Sequence, residues 1–223
     1  MRTKNGFDAK DSTRSSFGKD FIRAHYEQRV IPGRDSYDIL DWGSRESQIA
    51  RFHVLIDILV KYKLIQEGQA LKYRILDVGC GLSDLCDMLQ NLNLNMEYVG
   101  VDIVPRIIGE ARRRHPRRQL LLADIFQREP FAPNTFGSAF CSGTFNLEMG
   151  NNREFVLHAL RMMLPLVRDC LVVNFLHIRA REKYRHCHYF DPALIIDAVL
   201  PYVKDVELRD DYLENDFTLI LWR

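Results

Sequence analysis

With 223 residues the chain is long enough for one medium-sized domain with a sizeable core. The 31 Lys and Arg against 30 Asp and Glu leave a net charge of +1, which gives no whole-molecule field to draw in nucleic acid or an anionic membrane surface. The 5 cysteines, Cys80, Cys86, Cys141, Cys170 and Cys187, are scattered and odd in number, and no apolar run has the length of a signal peptide or a membrane span; both observations predict a soluble cytoplasmic protein with reduced thiols.

Residues 1–18 are small, polar and charged without periodicity, and are expected to form an unordered tail before a single domain over 19–223. From Phe21 a helical pattern begins, with Ile22, His25 and Tyr26 on one face, and it breaks at Pro32-Gly33. A second helix is predicted over residues 44–63, where Ile49, Phe52, His53, Ile56, Leu59 and Val60 share a face. Residues 19–65 thus read as N-terminal helices and 73–223 as the core.

The core alternates strands and helices. YRILDVG, EYVGVD, LLLAD, SAFCSG and CLVVNFL are short apolar runs rich in β-branched residues and separated by helical segments, which predicts parallel βαβ units. DVELRDD and DFTLILW come next with only residues 212–215 between them, a connection so short that the pair must be antiparallel.

The stretch ILDVGCGLSDL, residues 75–85, ends a strand and opens a helix. Gly79 and Gly81 permit a sharp turn and let a ligand approach the backbone, and the first amides of the helix point at whatever lies there. A glycine pair is also how many strand-to-helix loops simply turn, so the signal comes from the residues downstream. Asp102 ends the next strand about twenty residues on, where a carboxylate can accept the hydroxyls of an adenosine ribose, and Asp124 and Ile125 come after the third strand, where an acceptor and an apolar side chain suit an adenine. A dinucleotide and S-adenosylmethionine both fit that placement. The position of the third glycine of a pyrophosphate loop is Ser83, with Asp84 next to it, and a carboxylate there repels a pyrophosphate, whereas Asp77 suits a cationic sulfonium and an ammonium.

ILDVGCG, YVGVDIV, LLLADIF and FGSAFCSGTFN, in that order, resemble the successive motifs of the class I S-adenosylmethionine-dependent methyltransferases. Over residues 73–223 the resemblance implies an α/β fold: a seven-stranded Rossmann-like sheet in the order 3-2-1-4-5-7-6, strand 7 antiparallel, with helices on both faces and an N-terminal helical extension. It implies S-adenosyl-L-methionine as cofactor and S-adenosyl-L-homocysteine as product. Asp77, Gly79, Cys80 and Gly81 would line its amino-acid half, Asp102 and Ile103 the ribose and adenine, Asp124 and Ile125 the adenine, and Cys141, Ser142 and Gly143 the methionine portion. In DWGSRESQIARF, Trp42, Gly43, Ser44 and Arg51 are candidate cofactor or lid contacts; the competing reading has Trp42 anchoring the helix start, Ser44 capping it and Arg51 solvated.

The acceptor side falls on FNLE and on FLHIRAREKYRHCHYFDP, residues 175–192, because ligands of an open α/β sheet lie beyond the carboxyl ends of its strands. Phe145, Asn146, His177, Arg181 and Tyr184 are the candidate substrate contacts, and His177, His186 and His188 the candidate bases. A metal at His186-Cys187-His188 lacks the spacing of structural zinc sites, so no metal is expected. ARRRHPRR, residues 111–118, reads as a solvated helix end whose dipole favours cations, not as a nucleic-acid patch. The sequence therefore predicts methyl transfer by direct displacement to an unidentified acceptor, a small molecule being favoured over nucleic acid and no membrane being involved; a nicotinamide-dependent oxidoreductase and a non-catalytic cofactor-binding module are the alternatives.

Overall fold

The computed structural model describes residues 14–62, 64, 73–94, 96–127 and 130–223. Seven strands form one sheet: β1 (Tyr73–Val78), β2 (Met96–Asp102), β3 (Gln119–Leu122), β4 (Phe136–Cys141), β5 (Val167–Leu176), β6 (Asp205–Arg209) and β7 (Asp216–Trp222). Their order is β3-β2-β1-β4-β5-β7-β6, with β7 antiparallel to both neighbours and the other pairs parallel. All seven predicted strands are present in the expected order. β4 is buried along its whole length because it lies mid-sheet with helices over both faces, which is why its sequence is a continuous run instead of an alternation.

The helices are α1 (Arg14–Glu27), α2 (Ser36–Ile39), α3 (Arg45–Lys61), α4 (Asp84–Asn91), α5 (Pro105–Arg114), α6 (Asn152–Met163) and α7 (Pro192–Val199). One core, with Leu55, Leu59, Leu85 and Ile108, lies under α3, α4 and α5; the other, with Val156, Leu160, Ile195 and Phe217, lies under α6 and α7. Ser44 caps α3, its hydroxyl accepting the Ser47 N–H at 3.1 Å. The first helix begins at Arg14, inside the segment expected to be an unordered tail, and the rest of that tail, residues 1–13, lies outside the described residues, as does the predicted helix end at residue 63.

The basic run closes α5 as expected, with Arg112, Arg113 and Arg114 in its last turn and Arg112, Arg113 and Arg117 exposed, but several of its cations also bind locally. Arg113 and Arg114 converge on Glu110, Arg112 donates to the Leu120 carbonyl at 2.7 Å, and Arg118 folds back to the glycine loop, where Nη1 donates to the Ser83 carbonyl at 2.8 Å and its hydroxyl at 2.6 Å, with Asp87 paired on the other side. Ser83 is fully buried at φ +71, a left-handed conformation that a glycine would adopt freely and that the arginine clamp holds in place here. Among the described residues no helix is long and apolar enough to cross a membrane.

Candidate cofactor and acceptor cleft

A cleft of about 1030 Å³, its open mouth included, runs along the carboxyl ends of β1, β2, β3 and β4. Its floor is laid by the strand ends: Val78 and Gly79 from β1, Asp102 to Val104 after β2, Ala123 to Phe126 after β3, and Ser142 to Thr144 after β4. Its roof is N-terminal: Lys19, Ile22 and Tyr26 of α1, then Leu40, Asp41 and Trp42. Asn146, Leu147 and Cys187 close the far end.

Of the residues singled out from the sequence, the structure brings Trp42, Gly79, Asp102, Ile103, Asp124, Ile125, Ser142, Gly143 and Asn146 together around this cleft. Asp102 is buried and accepts backbone N–H groups from Gly81 at 3.1 Å and Val104 at 2.9 Å, so it fixes the glycine loop and faces the cleft at once. Burial pushes its carboxyl above the ordinary range, against the pull of those amides. Asp124 caps its own turn through the Phe126 N–H at 3.0 Å and meets Lys19 Nζ at 2.5 Å. Trp42 lies against Gly143, whose φ of +75 and missing side chain admit the indole. Trp42 Nε1 and Asn146 Oδ1 are buried without a hydrogen-bond partner among the described residues.

Other candidates lie elsewhere. Asp77 does not line the cleft: Tyr98 donates to its Oδ2 at 2.6 Å, and burial, with like charge from Asp102 and Asp84, pushes its carboxyl up to about 7. Cys80 is buried against Gly100, and Gly81 is backed by Leu40. Cys141 is buried in the core, which drives its thiol up to about 12. Asp84 takes Ser36 and Gln48, so it ties the loop to the N-terminal helices. Neither Ser83 nor Asp84 faces the cleft, so the repulsion expected between them and a pyrophosphate does not operate there.

Arg51 neither lines the cleft nor is solvated. It is buried, pairs with Asp216 through Nη2 at 2.7 and 2.8 Å, and lies 4.5 Å over the Trp42 ring, so it backs the wall that Trp42 presents. Asn174, beside Asp216, accepts the Ser142 hydroxyl at 3.2 Å, linking the pair to the cleft floor. Ser44 is a helix cap, and Gly43 has open space around it.

Of the candidate acceptor contacts, Phe145 is fully buried among Phe126, Phe155 and Phe175 and does not line the cleft. His177 is buried edge-on to Phe217, its Nδ1 accepting the Arg179 N–H, and burial with the nearby Arg179 charge lowers its proton affinity. His186 lies 3.7 Å from Asp41, and His188 pairs with Glu148 at 2.7 Å; the two imidazoles go to different carboxylates, and neither they nor His177 line the cleft. Arg181 pairs with Glu214, and Tyr184 is largely exposed. From this segment only Cys187 reaches the cleft.

Sequence reasoning passes over Lys19, Asp41 and Cys187. For Lys19 a signal exists: with Ile22 and Tyr26 it forms an i, i+3, i+7 stripe, so the cation belongs to the buried face of its helix. Asp41 takes His25 at 2.9 Å and Arg29 at 2.6 Å at a φ of +60, a convergence that no spacing announces.

Residues 75–165 match the methyltransferase domain family. The Mycobacterium tuberculosis protein Rv1506c, which carries a methyltransferase name, is 26% identical over 159 residues, 67% of this chain and 92% of that protein. The 18S rRNA (guanine-N(7))-methyltransferase of Bos taurus is 30% identical over 88 residues, which is 40% of this chain and 31% of the relative. Among solved structures, magnesium protoporphyrin IX methyltransferase from Synechocystis with bound S-adenosylmethionine superposes with a TM-score of 0.64 at 13% identity, covering 99% of this chain and 100% of that one; its complex with S-adenosylhomocysteine gives 0.67. At that identity the likeness is one of fold. The domain match over residues 75–165, the strand order and the named relatives make this chain similar to the S-adenosylmethionine-dependent methyltransferases, and its Rossmann-like fold is the one they share.

Proposed function

We propose that the chain transfers the methyl group to a small-molecule acceptor held at the Asn146, Leu147 and Cys187 end of the cleft. The observation that carries this reading is the polarity of the cleft. Two carboxylates, Asp102 and Asp124, stand at one end among Ile103, Ile125 and Phe126; toward the other a glycine-lined floor lies under Trp42, beside Asp41, which His25 and Arg29 already occupy, and beside Asn146, whose Oδ1 has no partner among the described residues. The carboxylates and apolar side chains suit a ribose and an adenine. Gly79, Ser142, Gly143 and Thr144 would take the methionyl portion, and the free Trp42 Nε1 donor suits a carboxylate.

When bound, the cofactor supplies a methyl group on a cationic sulfur, open to direct in-line displacement by an acceptor lone pair. The protein's part is alignment and the exclusion of water. Asn146 Oδ1, held in place by a backbone bond from His188 N–H to the Asn146 carbonyl at 2.8 Å, would accept an N–H or O–H of the acceptor and orient it. The roof formed by α1 and Trp42 favours an acceptor that enters whole. Arg114 and Arg118 are largely covered and paired with Glu110 and Asp87, which leaves fewer free cations for a phosphate track along that edge.

Incubation with methyl-labelled cofactor and size-separated cell extract tests the reading. Label in the low-molecular-weight fraction supports it; label confined to RNA or protein overturns the small-molecule assignment.

A further inference from the structure

Lys19 is 8% exposed and sits in the cleft wall with Nζ 2.5 Å from Asp124 Oδ2. Its helix is held over the site by two arginines: Arg23 donates to the Ile103 carbonyl at 3.0 Å, and Arg106 donates to those of Glu27 and Val30 at 2.7 and 2.9 Å. A buried ammonium is costly unless its protons find acceptors. Here the pairing is incomplete, because neither Lys19 Nζ nor Asp124 Oδ2 has a hydrogen bond of good geometry among the described residues and only the charges hold them together. Asp124 Oδ1 is already taken by the Phe126 N–H, so Oδ2 is the oxygen left for a ligand.

We propose that Lys19 is a specificity-determining residue that holds Asp124 Oδ2 in the ligand-free protein and surrenders it to the 6-amino group of the bound purine. The proposal rests on the assignment of Asp124 to the adenine end. One donor replaces another: the ammonium swings to water on its flexible stem, whose methylenes stay on the apolar wall beside Ile22, and an exocyclic N–H takes the vacated oxygen. The chemistry of position 6 has two consequences. Lys19 competes with an amino purine and so weakens its binding. It also offers a donor to a 6-oxo purine, which a bare Asp124 would repel.

The full chain is titrated by calorimetry with S-adenosylhomocysteine and with its 6-oxo counterpart, S-inosylhomocysteine. Lys19→Met should bind the amino ligand about tenfold tighter, the gain expected when a charged acceptor is freed for one more hydrogen bond, and the oxo ligand more weakly. Lys19→Arg, which keeps the cation, should match the wild type on both. Equal or weaker binding of S-adenosylhomocysteine by Lys19→Met overturns the proposal. Asp124→Asn separates the two layers: unchanged affinity there refutes the adenine assignment itself, whereas weakened affinity together with no gain in Lys19→Met refutes only the role of Lys19. A second readout needs no variant. Reductive methylation of the Lys19 amine, monitored by mass spectrometry, should speed up severalfold on saturation with S-adenosylhomocysteine, and protection on binding overturns the exchange.

Discussion

The indole of Trp42 fills the space that a side chain at Gly143 would need: a β-carbon built there would stand 2.6 Å from Trp42 Cη2. Gly143→Ala therefore has two costs, roughly 1 to 2 kcal/mol for an alanine at a φ of +75 and the displacement of the indole from the roof. We expect a folded protein whose affinity for S-adenosylhomocysteine falls at least about tenfold. Calorimetry beside a melting curve checks this; a folded variant with wild-type affinity would detach Trp42 from the site.

Behind that indole, Arg51 and Asp216 form a buried ion pair between helix α3 and strand β7, 165 residues apart in the chain. Removing one partner strands a charge in the interior, so Arg51→Met is expected to cost about 3 to 5 kcal/mol. Urea unfolding measures it. The double variant Arg51→Met, Asp216→Asn should recover much of the loss, because no charge is then left alone.

Asp102 should separate affinity from architecture. Asp102→Asn keeps one oxygen for the Gly81 or Val104 amide but loses the charge that ribose hydroxyls would meet, and the affinity for S-adenosylhomocysteine should drop roughly ten- to a hundredfold. If titration shows no change, the ribose does not lie on this residue.

Asp77 carries a pH dependence opposite to that of a salt-bridged carboxylate. Its folded-state proton affinity is raised, from an ordinary value of 3.8 to about 7, so the folded state takes up the proton more readily than the unfolded one. Its contribution to stability is complete below about pH 4 and is lost as the pH climbs through 7. Asp77→Asn still accepts the Tyr98 hydroxyl and has no charge to bury. It should be more stable than the wild type at pH 8, by on the order of 2 to 4 kcal/mol, with the difference vanishing toward pH 4. Denaturant unfolding at the two pH values decides it.

The strand order and the carboxylate end of the cleft are legible in the sequence because both are written locally: β-branched runs mark the strands, and Asp102, Asp124 and Ile125 fall at strand ends that the alternation locates. Orientation is less legible. Asp77 sits at a strand end too, yet its side chain takes the face that meets Tyr98, on the neighbouring strand. Arg51 cannot be read because its partner is supplied by the last strand, and no spacing connects Ser83 to the guanidinium that clamps it from beyond α5. The histidines of residues 175–192 stand out by abundance, and abundance carries no direction.

Leu147 and Cys187 face each other across a short antiparallel bridge, flanked by bonds of 2.8 Å from Glu148 N–H to the His186 carbonyl and from His188 N–H to the Asn146 carbonyl. Cys187 lines the cleft and the flanking imidazoles do not, His186 lying 3.7 Å from Asp41 and His188 pairing with Glu148 at 2.7 Å. The chemistry of this wall of the cleft thus depends on which residue of the segment stands at the bridge. A single residue inserted after Tyr184, with the bridge kept, would retire Cys187 from the cavity and deliver an imidazole in its place, which the loss of ligand protection of Cys187 against iodoacetamide would report. A change in loop length of one could exchange a weakly polar wall for a basic one without altering any residue that lines the cleft today.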